Sequence, residues 1–101
     1  MDLYFTKPEE VMTLLGERLR KQRLFLEMSQ AEVAARAGVG VNTVSNLEAG
    51  RNVSVENLVR IAMVLGRLNE LQELFKPQLN SVNDILRYES QSKRHRIKRK
   101  G

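Results

Sequence analysis

The 101-residue chain contains no cysteine and no tryptophan. A disulfide framework and a thiolate metal site are both excluded by that absence. Its one histidine, His95, lies between Arg94 and Arg96, with no nucleophile and no orienting carboxylate next to it. Acid–base and nucleophilic catalysis depend on such neighbours. No glycine-rich phosphate loop and no His/Asp/Glu cluster at metal-ligand spacing is present. The expectation is a protein that is not an enzyme, with no cofactor and no metal. No apolar run approaches the roughly 18 residues that a membrane span requires. The segment Met1-Asp2-Leu3-Tyr4-Phe5 lacks the basic flank and long apolar stretch of a signal peptide. A soluble, cytoplasmic protein with no membrane partner is expected. Strands are also missing from the pattern, because no stretch alternates with period two for long enough.

What the chain does have is charge, unevenly placed. The length allows one domain with a small core. The net charge is +5, yet residues 1–80 hold ten Lys/Arg and ten Asp/Glu and cancel. Residues 81–101 hold seven Lys/Arg against Asp84 and Glu89 and supply the whole excess. Inside the balanced part, residues 1–17 sum to −3 and residues 18–51 to +3. Two basic regions suit a polyanion. For the inner one, an ordinary solvated face is an equally simple account.

Apolar residues recur at helical spacing almost throughout. The first helix opens at Thr6-Lys7-Pro8-Glu9, with Thr6 as the expected cap and Glu9 as its capping-box partner. Val11, Leu14, Leu15 and Leu19 then form an apolar stripe, with Arg18, Lys21 and Gln22 facing water. Ser29-Gln30-Ala31-Glu32 is a second capping box, and Ala37-Gly38 ends the short helix that it opens. Gly40 opens a third helix, Val41 to Glu48, ended by Gly50. Ser54 caps a fourth, whose buried face is Leu58, Ile61, Ala62 and Leu65. Leu68, Leu71, Leu74 and Phe75 mark a fifth, stopped by Pro77. Met12, Met28 and Met63 are expected as core filler. Ser81 caps a short sixth segment through Tyr88, and the Ser/Gln/Lys/Arg-rich chain from Ser90 onward is expected to be disordered. The predicted architecture is all-α, a bundle of five short helices within residues 6–80 and an extension over 81–101.

Two short helices joined by a tight glycine turn form a helix-turn-helix unit. The second helix must protrude if it is to enter a major groove about 12 Å wide. Gly38 gives the turn its backbone freedom. Ala34 and Ala35 are small enough for close approach, and Val33, Val44 and Leu47 face inward. Val41, Asn42, Thr43, Ser45, Asn46 and Ala49 remain on or near the open face.

With these residues in view, the chain resembles the Cro/lambda-repressor (Xre-type) helix-turn-helix family. The resemblance rests on Leu19-Arg20-Lys21-Gln22-Arg23, Ser29 to Ala34, Ala37-Gly38-Val39, Asn42 to Gly50 and Arg51, and covers roughly residues 15–75. It implies a five-helix, lambda-repressor-like domain that binds double-stranded operator DNA as a homodimer, with the third helix in the major groove. It assigns Gln30 to a phosphate and the adjoining base, and Asn42, Thr43 and Asn46 to base edges or flanking phosphates. Arg51 and Asn52 would grip the backbone. Arg23 and Glu48 match a buried salt bridge that ties the first helix to the third. Val41 offers only a methyl contact, suited to a thymine methyl. The expected base-reading set is therefore Gln30, Val41, Asn42, Thr43 and Asn46. The expected phosphate set is Arg23, Ser45, Arg51 and Asn52, joined by Lys93, Arg94 and Arg96 of the tail. Two departures stand out. Glu27 occupies a place where many members have glycine, and Gly40 one where Ser or Thr usually caps the third helix.

One short helix reads only a few base pairs, so a palindromic operator with two half-sites is expected. Leu68, Leu71, Leu74 and Phe75 exceed what so small a core can cover and are the expected dimerisation surface. The stretch from Leu79 to Tyr88 and its basic end resemble HipB-type antitoxins. That implies a HipA-like kinase toxin as partner and repression of the shared operon; a nucleoid-associated location is expected of a DNA-binding protein. The alternative is a protein-binding or RNA-binding adaptor that uses the basic tail.

Overall fold

A computed structural model of the protein describes residues 7–100, and side chains for residues 7–93. Its helices are α1 (Pro8–Phe25), α2 (Gln30–Ala37), α3 (Val41–Glu48), α4 (Val55–Val64), α5 (Leu68–Glu73) and α6 (Val82–Lys100). No strand occurs among the described residues, and the fold is all-α.

The starts of α2 and α4 follow their serine caps. Ser29 Oγ accepts the Glu32 N–H at 3.0 Å, and Ser54 Oγ accepts the Asn57 N–H at 3.1 Å. The start of α1 is one residue later than expected. Pro8 is the first helical residue and excludes helical backbone from the residue before it, so Lys7 is extended at φ −122° and ψ 138°. Glu10, not Glu9, then reaches back to accept the Lys7 N–H at 3.2 Å. Thr6 lies outside the described residues.

The core is centred on α2. Val33, Val44, Ile61 and Leu65 are fully buried, with Ala34, Ala37 and Leu47 beside them. Helix α2 packs on α3 and α4, α1 packs on α3, and α5 packs on α4. The close approach of α2 uses Ala34 and Ala37, while Ala35 is exposed. Met28 packs against the core, but Met63 lies on the exposed face of α4. Gln22 does not face water. Its Nε2 donates to the Leu65 carbonyl at 3.1 Å and its Oε1 accepts from Arg67 Nη2 at 3.1 Å, fastening α1 to the end of α4.

Gly16, which nothing in the sequence pattern singles out, sets how closely α1 meets α3. A Cβ placed there would lie 2.1 Å from the Leu47 carbonyl oxygen. Glycine inside a helix costs about 1 kcal/mol relative to alanine, and here the backbone contact outweighs that cost. The end of α1 shows the opposite choice. Glu27 sits at φ +58°, where a side chain is strained.

Two C-terminal expectations are corrected. Helix α5 ends at Glu73, ahead of the proline, because Leu74 is extended and Phe75 turns to φ +58°. Helix α6 continues past Tyr88 to Lys100, where disorder was expected from Ser90. Ser81 Oγ accepts the Asp84 N–H at 3.1 Å to start it. Gln, Lys and Arg are good helix formers, and an acid near the start with cations toward the end suits the helix dipole. Composition argues only against a buried core, which an exposed helix does not require. Along the described side chains of α6, all but Asp84 are exposed.

These two backbone sites give opposite expectations. Glu27→Gly is expected to raise stability by about 0.5–1 kcal/mol, the relief of strain less the added chain entropy. Gly16→Ala is expected to lower it by about 1–3 kcal/mol through overpacking, although alanine is the better helix former. Thermal unfolding of both variants beside the parent checks the signs.

Candidate nucleic-acid interface

The α2–α3 unit is built by its caps and its turn. Ser29 and Glu32 close the box, with the Ser29 N–H donating to Glu32 Oε1 at 2.8 Å. Gly38 ends α2 at φ 72° and ψ 34°, a left-handed conformation that residues with a Cβ adopt at a cost. The Val39 N–H then donates to the Ala34 carbonyl at 3.0 Å. Arg60 of α4 donates through Nη1 to the Ala37 carbonyl at 3.3 Å while Glu56 holds its Nη2 at 2.8 Å. Gly40 starts α3 without a side-chain cap, as its lack of a side chain dictates.

Val33, Val44 and Leu47 are turned inward and fix the crossing of the two helices. On the other side of α3, Val41, Asn42 and Ala49 are exposed, and Thr43, Ser45 and Asn46 are partly buried. Arg51 and Asn52 are exposed just beyond the helix. Arg51 Nη1 donates to Asn46 Oδ1 at 3.1 Å, so the residue expected to grip the backbone is bonded to one expected to read a base. The spacing of five residues across a helix end carries no sequence signal for that bond.

Behind this face lies a polar junction of three helices. Arg23 of α1 donates through Nε to Glu48 Oε2 at 2.6 Å and through Nη2 to Glu48 Oε1 at 2.9 Å. Its Nη1 donates to the Met28 carbonyl at 2.9 Å. Gln30, the first residue of α2, donates through Nε2 to the same Glu48 Oε1 at 2.9 Å. Arg23 is 8% exposed. Its place among the phosphate contacts is therefore corrected, since a buried guanidinium held by a carboxylate is not on a surface that DNA reaches. Its place in the pair with Glu48 stands. The Gln30–Glu48 bond went unanticipated, because capping accounts for Ser29 and Glu32 but says nothing of Gln30. Burial pushes the Glu48 carboxyl up, but bonds from Arg23 and Gln30 and the nearby charges of Arg23 and Arg20 outweigh it and hold the carboxyl below its ordinary value. The bond to Glu48 likewise raises the Arg23 guanidinium.

The remaining candidates are spread out. Lys93 is exposed on α6, while the side chains of Arg94 and Arg96 lie outside the described residues. Leu68, Leu74 and Phe75 are exposed and Leu71 is partly buried. No helix among the described residues is long and apolar enough to cross a membrane. A family model described as helix-turn-helix matches residues 19–71, more than half of the chain and all of the α2–α3 unit.

The junction makes stability depend on acid. A carboxyl whose folded pKa is depressed contributes stability above its unfolded pKa and loses it as the pH falls through the folded value. Thermal melts taken from neutral pH downward are expected to lose stability below the ordinary carboxylate range. Glu48→Gln is expected to start less stable at neutral pH and to show a shallower acid decline.

Proposed function

The chain belongs to the Cro/lambda-repressor (Xre-type) helix-turn-helix family, and on that basis we propose that it represses transcription by reading a palindromic operator as a homodimer. Membership brings DNA binding and transcription regulation with it. The observation that carries the finer reading is the division of α3, whose Val44 and Leu47 are locked in the core while Val41 and Asn42 stand exposed. Residues 6–80 are the reading unit and residues 81–101 an extension. Asn42 and Asn46 carry the donor–acceptor pair that matches adenine in the major groove, and Val41 suits a thymine methyl. Thr43 completes that face. Gln30 contacts a phosphate and the adjoining base, its amide oriented by Glu48. Ser45, Arg51 and Asn52 hold the backbone, as do Lys93, Arg94 and Arg96 without regard to sequence. Leu68, Leu71, Leu74 and Phe75 join two protomers so that their α3 helices meet half-sites about 34 Å apart.

A protein partner for the extension is favoured by one further observation. Ile85, Leu86 and Tyr88 are exposed apolar residues within four positions of α6. With the HipB-like resemblance of the same stretch, we read it as the anchor for a HipA-like kinase encoded in the same operon. Co-expression and co-purification of that kinase, lost on truncation before Val82, is the expected result.

Selection of duplexes from a random pool tests the main proposal, with an inverted repeat expected. A preference for RNA over every duplex would overturn it. Asn46→Ala is expected to relax specificity at one or two positions and to weaken the preferred site by about 1–3 kcal/mol. Arg51→Ala is expected to weaken all sequences similarly and to flatten the salt dependence by about one phosphate. Because the two side chains are bonded, their double variant is expected to show less than the sum of the two effects.

Deleting residues 93–101 removes Lys93, Arg94, Arg96, Lys98, Arg99 and Lys100. The preferred sequence is expected to stay the same. Affinity is expected to fall most at low salt, with the slope of log K against log salt shallower by up to about 0.9 per lost phosphate contact. Salt titrations on operator and random duplexes measure both quantities.

A further inference from the structure

Between α1, α4 and α5 lies a groove of about 420 Å³ whose apolar walls are Leu15, Leu19, Leu58, Ala62, Leu71 and Leu74. A space of this size and lining suits a small molecule, provided that a few polar groups orient it. At one end the polar groups satisfy one another. Arg67 pairs with Glu70 and donates through Nη2 to Gln22 Oε1 at 3.1 Å, while Gln22 Nε2 donates to the Leu65 carbonyl. Glu70, the one acid of the lining, is thereby neutralised. Of the two remaining cations at the groove, Lys21 pairs with Glu17 at 3.5 Å. Arg18 has neither an ion pair nor a side-chain hydrogen bond among the described residues. The groove thus joins an apolar trough to a single guanidinium whose charge nothing offsets.

We propose that this groove binds an aliphatic carboxylate, with its chain along the leucines and its head group on Arg18. A guanidinium meets a carboxylate through two parallel hydrogen bonds, which supplies the direction that apolar walls lack. Leu15 and Gln22 are seven residues apart on α1, about 10 Å along the helix axis. With carbon–carbon bonds of about 1.5 Å in a zigzag, roughly eight carbons cover that length. The helix of a protein partner suits the space less well. With its side chains it is about 10–12 Å across and needs an open-ended trough, whereas the Gln22–Arg67 bond closes one end here. Leu71 and Leu74 belong both to this groove and to the dimer surface proposed above. Resting on that reading, a bound carboxylate competes with the second protomer and releases the operator, which makes the ligand an inducer.

Calorimetric titration of the full chain with decanoate, below its micelle-forming concentration, tests the site. One molecule per chain is expected, and each methylene removed from the ligand is expected to weaken binding by up to about fourfold. Decanol, the uncharged control, is expected to bind roughly tenfold more weakly than decanoate. Arg18→Gln is expected to lose that difference and to leave decanol binding unchanged. In the parent chain, decanoate is expected to move the methyl resonances of Leu15, Leu19, Leu58 and Leu71, a readout that needs no variant. If decanoate and decanol bind alike, or the resonances move at Ile85 and Leu86 instead, the inference is overturned. It is equally overturned if a second protomer covers the groove so that no decanoate enters. On an inverted-repeat duplex, decanoate is expected to weaken binding of the parent about tenfold and to have little effect on Arg18→Gln. Decanoate seated in the groove with operator affinity unchanged would overturn its role as an inducer. A chain that takes up decanoate but prefers no inverted repeat would overturn the operator reading and leave the carboxylate site standing.

Discussion

The geometry of the open face of α3 depends on one ion pair. Glu48 is the last residue of α3, and its carboxylate holds Arg23 of α1 and Gln30 of α2 at the same time. A buried pair of this kind contributes modestly to stability, since desolvation offsets most of the Coulomb attraction. Breaking it is another matter, because either partner left alone is an uncompensated buried charge worth about 3–5 kcal/mol. Against a domain total of roughly 5–15 kcal/mol, that is enough to make the arrangement exclusive. Within an apolar core only close packing resists rotation of an eight-residue helix, because apolar attraction by itself is indifferent to direction. A bidentate guanidinium–carboxylate contact is not, since its fork geometry fixes direction as well as distance. The orientation of α3 is therefore set from behind by polar geometry and from beneath by Val44 and Leu47.

The glycine in α1 serves the same packing of α1 on α3. Beside Leu47 and Glu48 the backbones of α1 and α3 lie almost in contact. Gly16 permits this, with no room for even a methyl group against the Leu47 carbonyl. A less helical residue is thus retained for what it leaves out. Strain at Glu27 belongs to the same corner, where the Met28 N–H donates to the Arg23 carbonyl at 3.2 Å and the chain must turn at once toward Ser29.

How legible this was in the sequence varies with the physics involved. The bounds of α2 and α3, the cap at Ser29 and the left-handed turn at Gly38 are written in local residue chemistry, and the structure agrees with them residue by residue. The Arg23–Glu48 pair was legible only through family resemblance, as no local rule links residues 25 apart. Gln22 was misjudged because a polar side chain on a helix can be drawn inward by an orphan carbonyl, here that of Leu65. Met63 was misjudged for the converse reason, since helical spacing marks a face but not whether anything covers it. The length of α6 escaped because composition rules speak to core formation rather than to helix propensity. At the candidate site, the residues of the open face of α3 were readable by elimination from its buried face. The bonds among them, Arg51 to Asn46 and Gln30 to Glu48, were not.

Those hidden bonds bear on how reading and gripping are divided. If every cation acted only through charge, affinity and specificity would separate cleanly between tail and helix. Arg51 breaks that division, for its guanidinium is bonded to Asn46, a side chain proposed above to read a base edge. A phosphate that draws Arg51 away frees the Asn46 oxygen, and a base that engages Asn46 frees Arg51. Either event lowers the cost of the other, which is positive coupling between backbone docking and base recognition. Lys93, exposed on α6, has no such bond among the described residues. On the reading proposed above, the field of such a cation would draw DNA in without discrimination, while the three-helix junction around Glu48 keeps α3 in the one orientation where such coupling could operate.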